Sequence, residues 1–340
     1  MGFDLSSFIE QLINGLTVGS FYALIALGYS MVYGVLTMIN FAHGEIFMVG
    51  AYVGLYTMNR LVDVGLYDSS RILAVGITLI AGTIGAAITG VTVERLAYRP
   101  LRRAARLAPL ISAIGMSIFL QEFIRLLPKM GEAITSISIG TFTIFPENIQ
   151  TAVVGFLEEF GGARVKTYPG VFGVGGFDIG DIHITYSRVI ILIMSVLTMI
   201  GLYFLVRYSR FGKAMRAVAE DKDIASLMGI DIDQVISRTF LVGSALAGIA
   251  GVMMGMFYLQ IRPTMGFVPG IKAFTAAVLG GIGNIPGAML GGYALGLGEV
   301  IGVQFLPAVY KDIVSFSILV LILIFKPTGI LGEGLAEKKM

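Results

Sequence analysis

The 340-residue chain contains no cysteine. That excludes a disulfide framework, a thiolate metal site and a cysteine nucleophile. Histidine is nearly absent too. The only two, His43 and His183, lie far apart, so no metal cluster is expected. There is no Gly-x-x-x-x-Gly-Lys-Ser/Thr phosphate loop. Gly212-Lys213 lacks the upstream glycine, and Ala214 stands where a hydroxyl residue belongs. Nothing here cradles nucleotide phosphates, and no catalytic residue or cofactor is expected. No His-Glu-x-x-His pair occurs, which makes an intramembrane enzyme the weakest class. The N-terminus has no basic stretch and no small-residue cleavage site, so the first apolar segment reads as a retained helix. A net charge of +2 gives no sign of a nucleic-acid partner.

Charge is scarce as well. Asp, Glu, Lys and Arg make up 14% of the chain, against about 25% in soluble domains. Hydrophobic residues make up 56%, and the mean hydropathy is +0.86. The deficit runs the whole length, which predicts an all-α polytopic membrane protein in contact with lipid. Glycine, at 45 residues, is well above the usual ~7%. Small residues let helix backbones approach closely in lipid, and pairs such as Gly15/Gly19 and Gly292/Gly296 have the matching spacing.

A spanning helix needs roughly 20 apolar residues. The pattern predicts segments at 11–33, 34–59, 72–93, 107–127, 186–206, 236–259, 271–279, 288–305 and 313–325, with the second and seventh broken. That makes about eight or nine spans in one transmembrane domain covering residues 1–340. Five bases lie in 95–106 (Arg95, Arg99, Arg102, Arg103, Arg106) and five in 207–222 (Arg207, Arg210, Lys213, Arg216, Lys222). The positive-inside rule makes both loops cytoplasmic. Residues 128–185, polar, acidic and glycine-rich, then form an extracytoplasmic insertion, with a short interfacial helix expected near 151–157. The N-terminus is expected outside and the C-terminus, with Lys338 and Lys339, inside. Glu122 and Arg125 are expected to pair, and Tyr22, Tyr29 and Tyr33 to serve packing. Val18-Gly19-Ser20 and Val242-Gly243-Ser244 open similar helices, each followed by an interrupted segment. Such a pairing of broken segments points to a central path.

Two stretches stand out. The first is a polar island, Asn40-Phe41-Ala42-His43-Gly44-Glu45, inside an otherwise apolar run. A charge at the bilayer centre costs roughly 2.5–3.5 kcal/mol on insertion scales. The island therefore lines a path or gate beside a helix break at Gly44, is hydrated near the cytoplasmic side, or relays protons. Lys272 and Glu299 are further path candidates, or they pair across the bundle. The second stretch is the loop of 207–235. Asp221 is placed to cap a short helix, with Asp223 in its first turn. Ile224, Leu227 and Met228 share one face, and Gly229 sits at the left-handed C-terminal position. Asp231 followed by Gln234 opens the next helix. A capped helix with an exposed apolar face is a docking element for a partner protein.

The pattern Arg216-Ala217-x-Ala219-Glu220-Asp221, then Ala225-Ser226-Leu227-x-Gly229-Ile230, resembles the cytoplasmic coupling region of the branched-chain amino-acid permeases, the LivH family. Gly15-Leu16-Thr17-Val18-Gly19-Ser20, the island, and Val278 to Gly287 resemble the same family in the same order. The resemblance covers roughly 10–127 and 186–330. Residues 128–185 look longer than the family pattern. What it implies is the permease subunit of an ATP-binding-cassette importer in a bacterial or archaeal cell membrane. Its partners would be a second, LivM-like permease subunit, two ATP-binding subunits and an extracytoplasmic substrate-binding protein. An ATP-driven importer needs no coupling ion, so proton relay is the least favoured reading of the island. The coupling contacts would be Arg216, Ala217, Glu220, Asp221, Ala225, Leu227 and Gly229. The substrate would be a branched-chain or similar small hydrophobic amino acid. Urea, short amides or another small solute is the alternative within the family, and an ATP-independent channel or secondary transporter is the alternative outside it.

Overall fold

The structure, a computed structural model, describes residues 5–332 except 103, 106, 137, 140, 141, 144, 145 and 172–174. Arg103, Arg106, Ile137, Thr141, Ile144, Lys338 and Lys339 therefore lie outside the described residues. The helices are α1 Leu5–Leu36, α2 His43–Asp63, α3 Leu66–Ser69, α4 Arg71–Val93, α5 Leu107–Thr135, α6 Glu147–Phe160, α7 Tyr186–Tyr208, α8 Arg210–Glu220, α9 Lys222–Leu227, α10 Ile232–Tyr258, α11 Phe267–Gly280, α12 Ile285–Phe305 and α13 Lys311–Phe325. A π-helical turn, Glu94–Tyr98, and a 3₁₀ turn, Arg99–Leu101, extend α4.

Among the described residues, six helices are long and apolar enough to cross a membrane: α1, α4 with its extension, α5, α7, α10 and α12. The chain is an all-α polytopic membrane protein. α1 is the axis of the bundle. It carries no charge between Gln11 and its end, and a helix apolar all round is buried. From Thr17 to Val32 every residue of α1 is buried. α12 lies directly against it: a Cβ at Gly19 would come within 2.9 Å of Tyr293 Cα and 3.1 Å of the Gly292 carbonyl. The glycine pairs 15/19 and 292/296 thus face one another and set this close approach. α5, α7 and α13 form the periphery, with exposed rows such as Ile111, Ile118 and Phe119 on α5.

The second expected segment differs from the structure. The island does not interrupt a helix; it lies at the junction of two. α1 runs on to Leu36, the chain turns over 37–42, and α2 starts at His43. Gly44 lies inside the first turn of α2, so no break falls there. The turn is closed by Asn40, whose Oδ1 accepts the Ala42 N–H at 3.1 Å. His43 packs at the level of Gly28 and Tyr29. α2 therefore begins about 12 Å, eight residues at 1.5 Å each, before the end of α1.

Residues 128–185 start inside a helix rather than after one. α5 continues through Pro128 to Thr135. Proline has no N–H to give the carbonyl four residues back, and that carbonyl, Ile124 O, accepts instead from Gly162 N at 2.9 Å. The expected short helix is present and longer than its apolar core suggested, as α6. It packs on α5 and on the end of α2, where Tyr56 meets Phe156 and Phe160. Hairpins pair 138–139 with 142–143 and 176–179 with 182–185. Lys166 and Thr167 pair with Ile261 and Gln260 of the α10–α11 connection. Glu122 and Arg125 pair at 2.9 Å on the exposed face of α5, as expected.

Candidate functional site

Three groups of side chains combine polarity with burial or a built, exposed face. The first surrounds the island. Asn40, His43 and Glu45 are all buried in protein, so the hydrated reading of the island fails for these side chains. Tyr98, on the π-helical turn, donates to Asn40 Oδ1 at 2.7 Å. The His43 ring lies edge-on to Tyr29, 4.8 Å between centroids. Glu45 accepts from Ser117 at 3.4 Å, while its Oε2 has no hydrogen bond. Among the described residues no base pairs with it. Two helix N-termini face it instead, its own and that of α11, and both favour a negative group. Gly44 makes this possible. A Cβ there would strike the Gly266 carbonyl and come within 3.0 Å of Gly270 Cα. The first turns of α2 and α11 therefore touch inside the bundle.

The second group is Lys272 and Glu299, which pair across α11 and α12 at 2.7 Å. Their sequence context left pairing and path-lining open, and their neighbours come from other elements. Glu299 also accepts from Tyr22 at 2.9 Å and from Ser315 at 3.2 Å. Tyr22 is thus a ligand of a buried carboxylate rather than packing alone. Asp312, at the start of α13, brings a second carboxylate within 2.6 Å of the same ammonium. A cavity of about 290 Å³ opens above them between α10, the turn before α11, and α13.

The third group is the 207–235 loop. It holds α8 and then α9, each opened by a side chain. Ser209 accepts from Gly212 N at 2.9 Å. Asp221 accepts from Asp223 N and Ile224 N at 2.8 and 2.9 Å. Gly229 takes φ +82°, and Asp231 accepts from Gln234 N at 3.0 Å. The expected caps are all present. Ala225 is buried, whereas Ile224, Leu227 and Met228 are exposed, Leu227 at 87%. Ala217 packs inward, partly buried. Glu220 is exposed. Arg216 turns back to donate to the carbonyls of Val206 and Arg207 at the end of α7, so it braces the α7–α8 corner. Burial, and then the nearby Arg102 guanidinium, hold the Lys222 ammonium below its ordinary pKa.

A charged joint that the sequence did not disclose links the third group to the first. Glu94, on the π-helical turn, is fully buried. It pairs with Arg102 and accepts from Ser237 of α10 at 2.7 Å. Arg102 also reaches Asp233 in the first turn of α10, and Arg99 pairs with Asp233 at 2.6 Å. The first basic loop is thus not merely solvated: two of its arginines clamp α4 to α10. A carboxylate at the end of an apolar helix, with arginines five and eight residues on, was the available signal.

The protein-family model for the branched-chain amino acid transport system permease component matches residues 11–323. The chain is 45% identical over 332 residues to the high-affinity branched-chain amino acid transport system permease protein LivH of Escherichia coli (strain K12), covering 97% of each chain. It is 45% identical over 336 residues to the corresponding protein BraD of Pseudomonas aeruginosa, covering 98% of this chain and 99% of that one. These matches run through residues 128–185, so that segment belongs to the shared length and is not an addition to it.

Proposed function

The chain belongs to the branched-chain amino acid transport permease family, and from that premise we propose that it is the membrane-spanning subunit of an ATP-driven importer for branched-chain amino acids. Two cytoplasmic ATP-binding subunits hydrolyse the nucleotide, since this chain has no phosphate loop. A LivM-like second permease subunit completes the pore, and an extracytoplasmic binding protein delivers the substrate. The chain sits in the inner membrane with residues 95–106 and 207–222 on the cytoplasmic side and 128–185 outside. Counting α2, α11 and α13 with the six long helices gives the nine-span arrangement, N-terminus out.

The observation that carries this reading is α9. A helix capped at both ends, with Ile224, Leu227 and Met228 left bare, suits a groove on another protein and has no use in a self-sufficient channel. The residues behind it supply the route inward. Asp231 starts α10, Asp233 and Ser237 hold Arg102 and Glu94, and Tyr98 holds Asn40. Displacement of α9 therefore reaches the island through two helices. Asn40, His43, Gly44 and Glu45 act as an inner gate where α2 meets α11.

The test is reconstitution of the chain with its partner subunits in proteoliposomes. Leucine uptake should require ATP and the loaded binding protein. Uptake without ATP, or purification of the chain with no ATPase bound, would point to a channel or secondary transporter instead.

A further inference from the structure

We propose that the cavity above Lys272 is a substrate site within the permease, holding the α-ammonium of an amino acid on Asp312 and its α-carboxylate on Arg262 and Lys311. The proposal rests on the importer reading and adds to it the residues that meet the substrate.

The charges around the cavity are unevenly satisfied. Glu299 is fully engaged, with Lys272 on Oε1 and Tyr22 and Ser315 on Oε2. Asp312 touches the same ammonium through Oδ1 at 2.6 Å, and 43% of its side chain stays exposed. One ammonium thus stands against two carboxylates, and the surplus negative charge falls on Asp312, at the cavity wall. Arg262 and Lys311 line the same cavity, and among the described residues neither has an ion-pair partner. The wall therefore presents a carboxylate that shares its one ammonium with Glu299, and two cations without an ion-pair partner among the described residues. A zwitterion answers both at once.

Neither end alone suffices. A bare carboxylic acid would set its charge against Asp312, and a bare amine would set its charge against Arg262 and Lys311. Repulsion of that kind is how a site rejects near-analogues. The rest of the lining suits an aliphatic side chain. Met254, Met265 and Val268 face the cavity, and methionine adapts to chains of different branching. Tyr22, midway along α1, lines the cavity together with the end of α10 and the start of α13.

The experiment uses the complete complex in lipid nanodiscs, without the binding protein. Equilibrium binding of radiolabelled leucine is competed with leucine, leucinamide and 4-methylpentanoate, and ATP-driven leucine uptake is measured in parallel. Leucine should compete, with both one-ended analogues at least tenfold weaker. D312N should weaken leucine binding at least tenfold, and so should R262Q combined with K311Q. If the wild-type complex takes up no leucine with ATP, the importer reading fails. If wild-type uptake is normal but the analogues compete as well as leucine, or the variants bind and transport like wild type, only the site assignment fails. Should D312N not assemble, the double variant at the exposed Arg262 and Lys311 decides by its leucine affinity and KM.

Discussion

Tyr98 and Asn40, 58 residues apart in sequence, meet through a buried 2.7 Å hydrogen bond that ties the end of α4 to the turn between α1 and α2. Asn40 Oδ1 also accepts the Ala42 N–H. Y98F removes one of two bonds and should cost about 1 kcal/mol. N40A removes both and leaves a buried N–H without a partner, so about 2 kcal/mol or more is expected. Denaturant titration of the purified complex should rank them in that order, and leucine uptake should fall in both. Equal midpoints for the two variants would contradict the arrangement.

Glu94 has no exposure, while its partner Arg102 is 15% exposed at the side chain. Removing one member of a buried pair costs roughly 3–5 kcal/mol, because the other charge is left uncompensated. R102A should therefore be among the most damaging substitutions on this side of the bundle. E94Q combined with R102M should recover most of that loss, since exchanging both members for neutral groups is often close to neutral. Thermal melting of the three proteins checks the pattern; a double variant as unstable as R102A would refute it.

Leu227 makes the opposite case. With 87% of its surface exposed, L227D should change stability by no more than about 0.5 kcal/mol. It should still abolish co-purification of the ATPase subunits and leucine uptake. A variant that keeps both would remove α9 from the coupling route.

Two glycines should respond with opposite signs to alanine. Gly155 lies in α6, and a Cβ added there would meet nothing within 4 Å, so G155A should stabilise by about 0.5–1 kcal/mol. Gly44 faces the Gly266 carbonyl and Gly270 Cα, so G44A should push α2 and α11 apart, lowering both the melting temperature and uptake. Matching shifts in the two variants would show that the α2–α11 crossing has slack.

Local chemistry was legible and distant pairing was not. The caps at Asp221, Gly229 and Asp231 involve residues within a few positions of one another, so the pattern carried them whole. Six of the expected spans were equally clear, because lipid demands a long apolar run. The start of α2 was misplaced because Asn40 turns the chain through a bond to Ala42 while Tyr98 holds it from another helix. Pro128 looked like a helix end, but the carbonyl it deprives finds Gly162 instead. Asp312 and Glu94 went unnoticed because what makes them informative is a partner in another element. Lys272 and Glu299 were singled out by hydrophobic context, yet only the fold places Tyr22, Ser315 and Asp312 around them.

The π-helical turn at Glu94–Tyr98 carries Tyr98 and precedes Arg102. A π turn holds one residue more than an α-helical turn of the same chain. If this turn tightened into the α-helix that precedes it, everything after it would rotate by roughly 100°, a single residue's step. Tyr98 would swing off Asn40 and Arg102 off Glu94 in the same movement. A single residue of helical register would thus release both contacts together.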